Sequence, residues 1–193
     1  MTRNLIYGAW LAAAVVIFLL GITLGDRNAA SEAEAYTAPG LEPMTLADAR
    51  DNFYRLAPAL LGTIYQAFAL TQEDEIYDTL ASVTDGDALE YLYLERASAL
   101  AQGGLQEGDQ TIHEIEMVRA KTQVDGPGLA IDAVWQVIGT VGHAEHMHVR
   151  GNTYSADLQV MPVEGAWRVT GFVLREVNRD TAGETFLAPE ENE

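Results

Sequence analysis

LAIDAVWQVIGTVGHAEHMHVRGNTYSADLQVMPVEGAWRVTGFVLREV, residues Leu129 to Val177, reads as three long strands joined by two tight turns. From Leu129 to Val141 the odd positions hold Leu129, Ile131, Ala133, Trp135, Val137, Gly139 and Val141, while Asp132, Gln136 and Thr140 are even. That period of two marks a strand with one buried face. From His146 to Val160 the parity switches, with Tyr154, Ala156, Leu158 and Val160 all even. A two-residue turn at His143-Ala144 pairs Gly142 with Glu145, Gly139 with His148 and Val137 with Arg150. Odd residues then face even ones, and the apolar faces agree. A second turn at Glu164-Gly165 resembles an Asp-Gly hairpin turn. It pairs Val160 with Val169, Ala156 with Val173 and Tyr154 with Arg175. A one-residue slip would turn one strand's apolar face toward water.

Around this meander lies a chain of 193 residues with a formal charge of −18, no cysteine and one lysine, Lys121. Without an anchor and tails, about 135 residues remain, which suits one domain. An acidic surface repels nucleic acid and anionic headgroups, so no nucleic-acid partner is expected. The lack of cysteine excludes disulfides, thiolate metal sites and cysteine nucleophiles. No cofactor is implied.

The N-terminus divides by charge. Residues 1–4 form a short end carrying Arg3, and residues 5–25, LIYGAWLAAAVVIFLLGITLG, carry no charge. A helix of that length rises about 31 Å and crosses a hydrocarbon core. The alternative is a cleaved signal peptide ending near Ala33-Glu34-Ala35, although signal-peptide apolar regions run only about 7–15 residues. The positive-inside bias of Arg3 puts the N-terminus in the cytoplasm and the rest of the chain outside it. Residues 26–44 have no periodicity and read as a flexible linker.

A domain is expected over residues 45–178. Leu46, Ala49, Phe53, Leu56, Leu60, Ile64 and Phe68 follow helical spacing, with Thr45 as N-cap and Pro58 kinking or dividing the helix. A short helix begins at Thr71, and a third follows the Asp85-Gly86 turn, with Asp87 as cap, Leu89, Leu92, Tyr93, Arg96 and Leu100 recurring, and Gly103-Gly104 as its end. Gln110 to Val124 is a strand of poorly fixed parity, since Ile112 and Val118 lie on one face and Ile115 and Met117 on the other. An edge strand reads this way. Residues 179–193 are acidic and expected to be disordered. The fold class is α+β: helices packed on a curved antiparallel sheet of about four strands.

Helices followed by a meander closing on Gly165-Ala-Trp-Arg-Val169 resemble the nuclear transport factor 2-like (cystatin-like, SnoaL-like) superfamily. The resemblance implies a curved sheet wrapped round a long helix, leaving a cone-shaped cavity. Ile64-Tyr-Gln-Ala-Phe68, Glu75-Ile-Tyr-Asp78 and the stretch from Gly142-His143 to Arg150-x-Asn-x-Tyr154 also look like a group of bacterial single-pass membrane proteins. The superfamily includes dehydratases, isomerases and cyclases. It also holds silent modules such as the periplasmic domain of the type IV secretion inner-membrane scaffold, whose layout this chain resembles. Fold does not set function.

Under the proposed register one sheet face carries Trp135, Gly139, His146, His148, Arg150, Asn152, Tyr154 and Arg175. A face that turns from apolar to Arg, Asn and His must meet water, a cavity or a partner. Three readings compete. The residues bond internally at the cavity mouth; or they bind a partner protein or an anionic small molecule through Arg150 and Arg175; or His146, His148 and His143 hold a metal. The metal set lacks a located carboxylate. For catalysis, Asp132 and Asp157 face outward, so only Glu114 and Glu116 on the first strand could supply a general acid or base from the sheet; a nucleophile is unsupported, because Ser155 faces outward and no Gly-x-Ser-x-Gly elbow exists. The favoured expectation is a bacterial inner-membrane protein with one span and a periplasmic module that binds or assembles with other inner-membrane or periplasmic proteins, itself included, without chemistry. The alternative is a pocket for a small ligand or metal, with isomerase- or dehydratase-type activity.

Overall fold

The computed structural model describes residues 34–101, 110–143, 146–180 and 185–187. The expected cytoplasmic end, the expected transmembrane segment and most of the expected linker lie outside these residues, as do Gly103-Gly104. Every element below belongs to the unit that begins at Ala35. Among the described residues, no helix is long and apolar enough to cross a membrane.

The strands are β1 (Tyr36–Ala38), β2 (Leu41–Met44), β3 (Gln110–Asp125), β4 (Gly128–His143), β5 (His146–Val163), β6 (Ala166–Asp180) and β7 (Thr185–Leu187). The helices are α1 (Leu46–Asp51), α2 (Phe53–Ala69), α3 (Glu73–Ala81) and α4 (Gly86–Ala101). The fold is α+β, with one curled, mixed sheet in the order β2-β1-β6-β5-β4-β3 and β7 paired to β5. The expectation of about four strands is corrected to seven among the described residues. The additional three are strands of three or four residues in segments read as linker and tail. Strands so short carry no measurable period, and tertiary contacts hold them.

Strand β7 pairs with β5, while for β1 and β2 those contacts converge on Trp167. Its ring is fully buried, its Nε1–H donates to the Met44 carbonyl at 3.1 Å, and Tyr36 meets it edge-on at 5.3 Å. Thr37 N–H donates to the Gly165 carbonyl at 3.0 Å, so β1 runs parallel beside the start of β6. The segment between α3 and α4 covers the next stretch of the same edge. Val169 N–H donates to the Val83 carbonyl at 2.8 Å, and Asp85 N–H to the Val169 carbonyl at 3.0 Å.

Thr45 caps α1 with a full capping box: its hydroxyl accepts from Asp48 N–H, and the Asp48 carboxylate accepts from Thr45 N–H. The long helix divides at Asn52, upstream of Pro58, which sits inside α2. Proline cannot donate to the carbonyl four residues back, and its ring crowds that carbonyl, so the preceding turn is the weak one. Helix α4 starts at Gly86, one residue before the expected cap, because Leu89 N–H donates to the Asp85 carbonyl; Gly86 itself takes a left-handed φ of +55°, which glycine tolerates at the end of the turn. Leu56, Ala57, Leu60, Leu61, Ile64 and Ala67 of α2 are buried against the concave face of the sheet, with Leu129, Ile131, Ala133, Trp135, Val137, Ala156, Leu158 and Val160 in the same core.

The meander keeps its expected faces but not its expected partners. In the first hairpin His143 pairs with His146, Gly139 with Arg150 and Val137 with Asn152. This is two residues from the expected register, and a shift of two preserves every face. In the second, Val160 pairs with Val169 as expected. Beyond it two bulges, at Gln159/Val160 and Ser155/Ala156, bring Ala156 opposite Leu174 and Tyr154 opposite Val177. Each bulge adds a residue to β6 and reverses its parity. Val173, expected to face the helices, is therefore 61% exposed.

Bulges also explain the ambiguous parity of β3. The ladder with β4 slips between Ile112 and Glu114 and again between Met117 and Arg119. Ile112, Ile115, Met117, Ala120 and Thr122 all face the inner positions Gly139, Val137, Trp135, Ala133 and Ile131 of β4. The strand is an edge strand, as its composition implied.

Candidate functional site

The inner face is crossed by a line of aromatic rings. Trp135 stacks on Tyr154, its cross-strand partner, at 5.6 Å and 15°. Tyr65 of α2 meets Tyr154 edge-on at 6.1 Å, and Phe172 meets Trp135 edge-on at 6.4 Å. Tyr91 of α4 then stacks on Phe172 at 6.0 Å. Each offset or edge-on pair adds about 0.5–1.5 kcal/mol beyond the area it buries.

The polar atoms of this line are joined. Trp135, 1% exposed, donates its Nε1–H to the Tyr65 hydroxyl at 3.0 Å. Asn152 Nδ2 donates to the Tyr154 hydroxyl at 3.4 Å. Burial pushes the Tyr65 phenol well above its ordinary range; the Trp135 hydrogen bond opposes that rise, and the nearby Tyr154 hydroxyl adds to it. Tyr65 is thus a neutral hydrogen-bonding group at any physiological pH.

Of the residues expected to share one polar face, Trp135, Asn152 and Tyr154 come together here. Gly139 is buried on the same face, opposite Arg150 and not His148; His148 lies opposite Val141. His146, His148 and Arg150 hold inner-face register positions at the far end of β5, where β7 takes over as neighbour. Their side chains and that of His143, and with them the expected metal set, lie outside the described structure. Among the described residues no group of three His, Asp or Glu is placed to hold a metal ion.

The inner-face position expected for Arg175 is corrected. The residue lies on the outer face, hydrogen-bonded to Asp132 and 3.4 Å from Asp157. The bulge at Gln159/Val160, where Thr170 is the extra residue, turned it there together with Val173. The hydrogen bond to Arg175 holds the Asp132 carboxyl below its usual range, with lesser help from Arg119 and Lys121. Glu114 and Glu116, the remaining candidate acids, sit opposite Ile138 and Gln136 and so also belong to the outer face.

One residue was missed. Arg96, counted only as part of a recurring stripe, is 5% exposed and donates from Nε and an NH2 group to the Leu70 carbonyl at 3.3 and 2.7 Å. Leu70 is the C-cap of α2, so the guanidinium meets the negative end of that helix. An arginine at an apolar helical position was the available signal.

Two open spaces flank the sheet. A groove of about 420 Å³ runs between α2 and the free edge of β3, lined by Gly62, Tyr65, Gln66, Ile112, His113 and Glu114, among others. A second, of about 550 Å³, lies on the outer face beside Lys121, Asp132, Asp157 and Val173.

No family model matches the chain, and no curated protein sequence does. Among solved structures, the intermembrane-space region of the chloroplast protein ARC6 aligns at 17% identity over 63% of this chain and 95% of that one, with a TM-score of 0.44. A de novo designed β-sheet protein aligns at 17% identity over 68% of this chain and 93% of that one, with a TM-score of 0.35.

Proposed function

We propose that this chain is a binding or assembly module of nuclear transport factor 2-like build, tethered to a bacterial inner membrane by one span and working in the periplasm beside other membrane or periplasmic proteins, without chemistry of its own. The observation that supports this reading is the line of aromatic rings on the inner face. Where an isomerase-type relative would keep a cavity with a general acid or base, the inner face here carries Tyr65, Trp135, Tyr154 and Phe172 in mutual contact. The acids Glu114, Glu116, Asp132 and Asp157 occupy the opposite face, two of them engaged by Arg175. Large apolar side chains stand on the outside, with Tyr54 56% and Leu94 53% exposed.

The test is photo-crosslinking in intact membranes from Tyr54, Leu94 and Val173, with a reporter fused after Glu193 to report the side of the membrane. Discrete protein adducts and a reporter active only when exported are expected. A mature N-terminus near Tyr36 would remove the tether. Absence of protein adducts from all three positions, together with saturable stabilisation by a small ligand or divalent metal, would overturn the assembly reading.

A further inference from the structure

We propose that the free edge of β3 is a self-recognition site: two copies of this chain pair β3 antiparallel to β3 about a two-fold axis between Met117 and Val118, joining their sheets. Among the described residues strand β3 ends the strand order with no strand beyond it, and it runs for 16 residues. The other end of the sheet is β2, four residues long and carrying Pro43. Charges and bulges at an edge ordinarily block pairing with other strands. Here both are present, but their arrangement favours one partner.

In order, the outer face of β3 shows Glu114, Glu116, the Val118 bulge, Arg119 and Lys121. Their faces follow from their β4 partners Ile138, Gln136, Val134 and Asp132, consecutive even positions on the outer side. Even numbers before the bulge and odd numbers after it share one face only because Val118 is the extra residue. In a regular strand, a two-fold pairing of Glu116 with Arg119 would set them on opposite faces. With the bulge, Glu114 meets the partner's Lys121 and Glu116 meets the partner's Arg119, each twice by symmetry. On the inner side Ile115 meets the partner's Ala120. Opposite charges directly across a pair of strands attract, whereas parallel in-register pairing would set Glu against Glu and Lys against Lys.

Three further observations fit this occupant. Neither Arg119 nor Lys121 forms a salt bridge among the described residues, since Arg175 holds Asp132, the acid across from Lys121. Val118, 58% exposed, lies at the axis and would be covered. The groove beside Ile112–Ile115 faces the partner's small Ala120 and Thr122 in this alignment. The four charges cancel locally, so the overall charge of −18 acts only at longer range, where salt screens it beyond about 8 Å.

This deepens the assembly reading by naming a partner, and charge reversal separates the two. The full chain in mild detergent is followed by sedimentation velocity. The parent is expected to show concentration-dependent dimers. Lys121→Glu sets Glu against Glu114 at two places and should weaken the dimer about tenfold or more. Glu114→Lys combined with Lys121→Glu restores complementarity and should restore the dimer. Because the chain has no cysteine, Val118→Cys should form a disulfide-linked dimer under mild oxidation. A monomeric parent at tens of micromolar, or a dimer indifferent to Lys121→Glu, or a double reversal that fails to rescue overturns the proposal. Should Val118→Cys capture a different protein and never itself, self-pairing fails while the assembly reading stands.

Discussion

Replacing Tyr65 with Phe removes one oxygen from the interior and tests what seats the aromatic line. Trp135 is 1% exposed, and its indole N–H donates to the Tyr65 hydroxyl at 3.0 Å. Without that oxygen the N–H is left in a covered site. A buried donor stripped of its partner costs about 1–3 kcal/mol, while the volume lost is too small to leave much of a cavity. In a chain of this size each kcal/mol moves the melting midpoint by roughly 2–4 °C, so a fall of about 3–10 °C is expected. In urea the midpoint should fall with an unchanged slope. Tyr77→Phe, at a residue 47% exposed, is the control and should stay within about 0.5 kcal/mol. In a double-mutant cycle with Trp135→Phe the two changes should couple by about 0.5–3 kcal/mol, since each removes one half of the same bond. The alkaline limb gives a second reading. Burial raises the Tyr65 pKa above its ordinary 10.0 in the folded state, so its stabilising effect is complete below about pH 10 and is lost as pH rises toward the folded value. Tyr65→Phe should flatten that loss. If Tyr65→Phe melts with the parent, the hydrogen bond does not seat Trp135 and the reasoning is refuted.

Ala156 is fully buried, so Ala156→Asp should cost about 3 kcal/mol or more by chemical denaturation; a silent change would mean that the inner face of β5 is misassigned. Trp167→Phe removes the hydrogen bond to the Met44 carbonyl, costing about 1–2 kcal/mol, and should speed proteolysis within residues 36–44, where an unchanged cleavage rate would separate β1 and β2 from Trp167. The Asp132 carboxyl is held below its ordinary 3.8 by Arg175, so this pair's contribution is present above about pH 4 and fades as pH falls through the folded value. Arg175→Gln should flatten that acid limb, and an unaltered limb would show the pair contributes nothing. Thr45→Ala breaks the capping box and should lower stability by about 1 kcal/mol, with helix loss by circular dichroism confined to the first turns.

The parity of Leu129 to Val141 and of Tyr154 to Val160 is local information, and it sufficed for the meander and its buried face, as the mixed parity of Gln110 to Val124 did for the edge strand. Thr45 with Asp48 likewise announced α1, because a capping box is built from residues three apart. What the sequence could not carry is where a ladder slips. Bulges at Val118, at Thr170 and beside Leu174 depend on how long strands bend over α2 and α4, and each one reverses the face of every residue beyond it until the next. Arg175 therefore left the inner face for Asp132 and Asp157, and Glu114 and Glu116 came to stand on the same side as Arg119 and Lys121. The strands β1, β2 and β7 are too short to show a period, and β1 and β2 form because Trp167 and the Gly165 carbonyl wait for them across the chain. Composition and parity determined the layers; the curvature of the packed sheet decided which side chains meet.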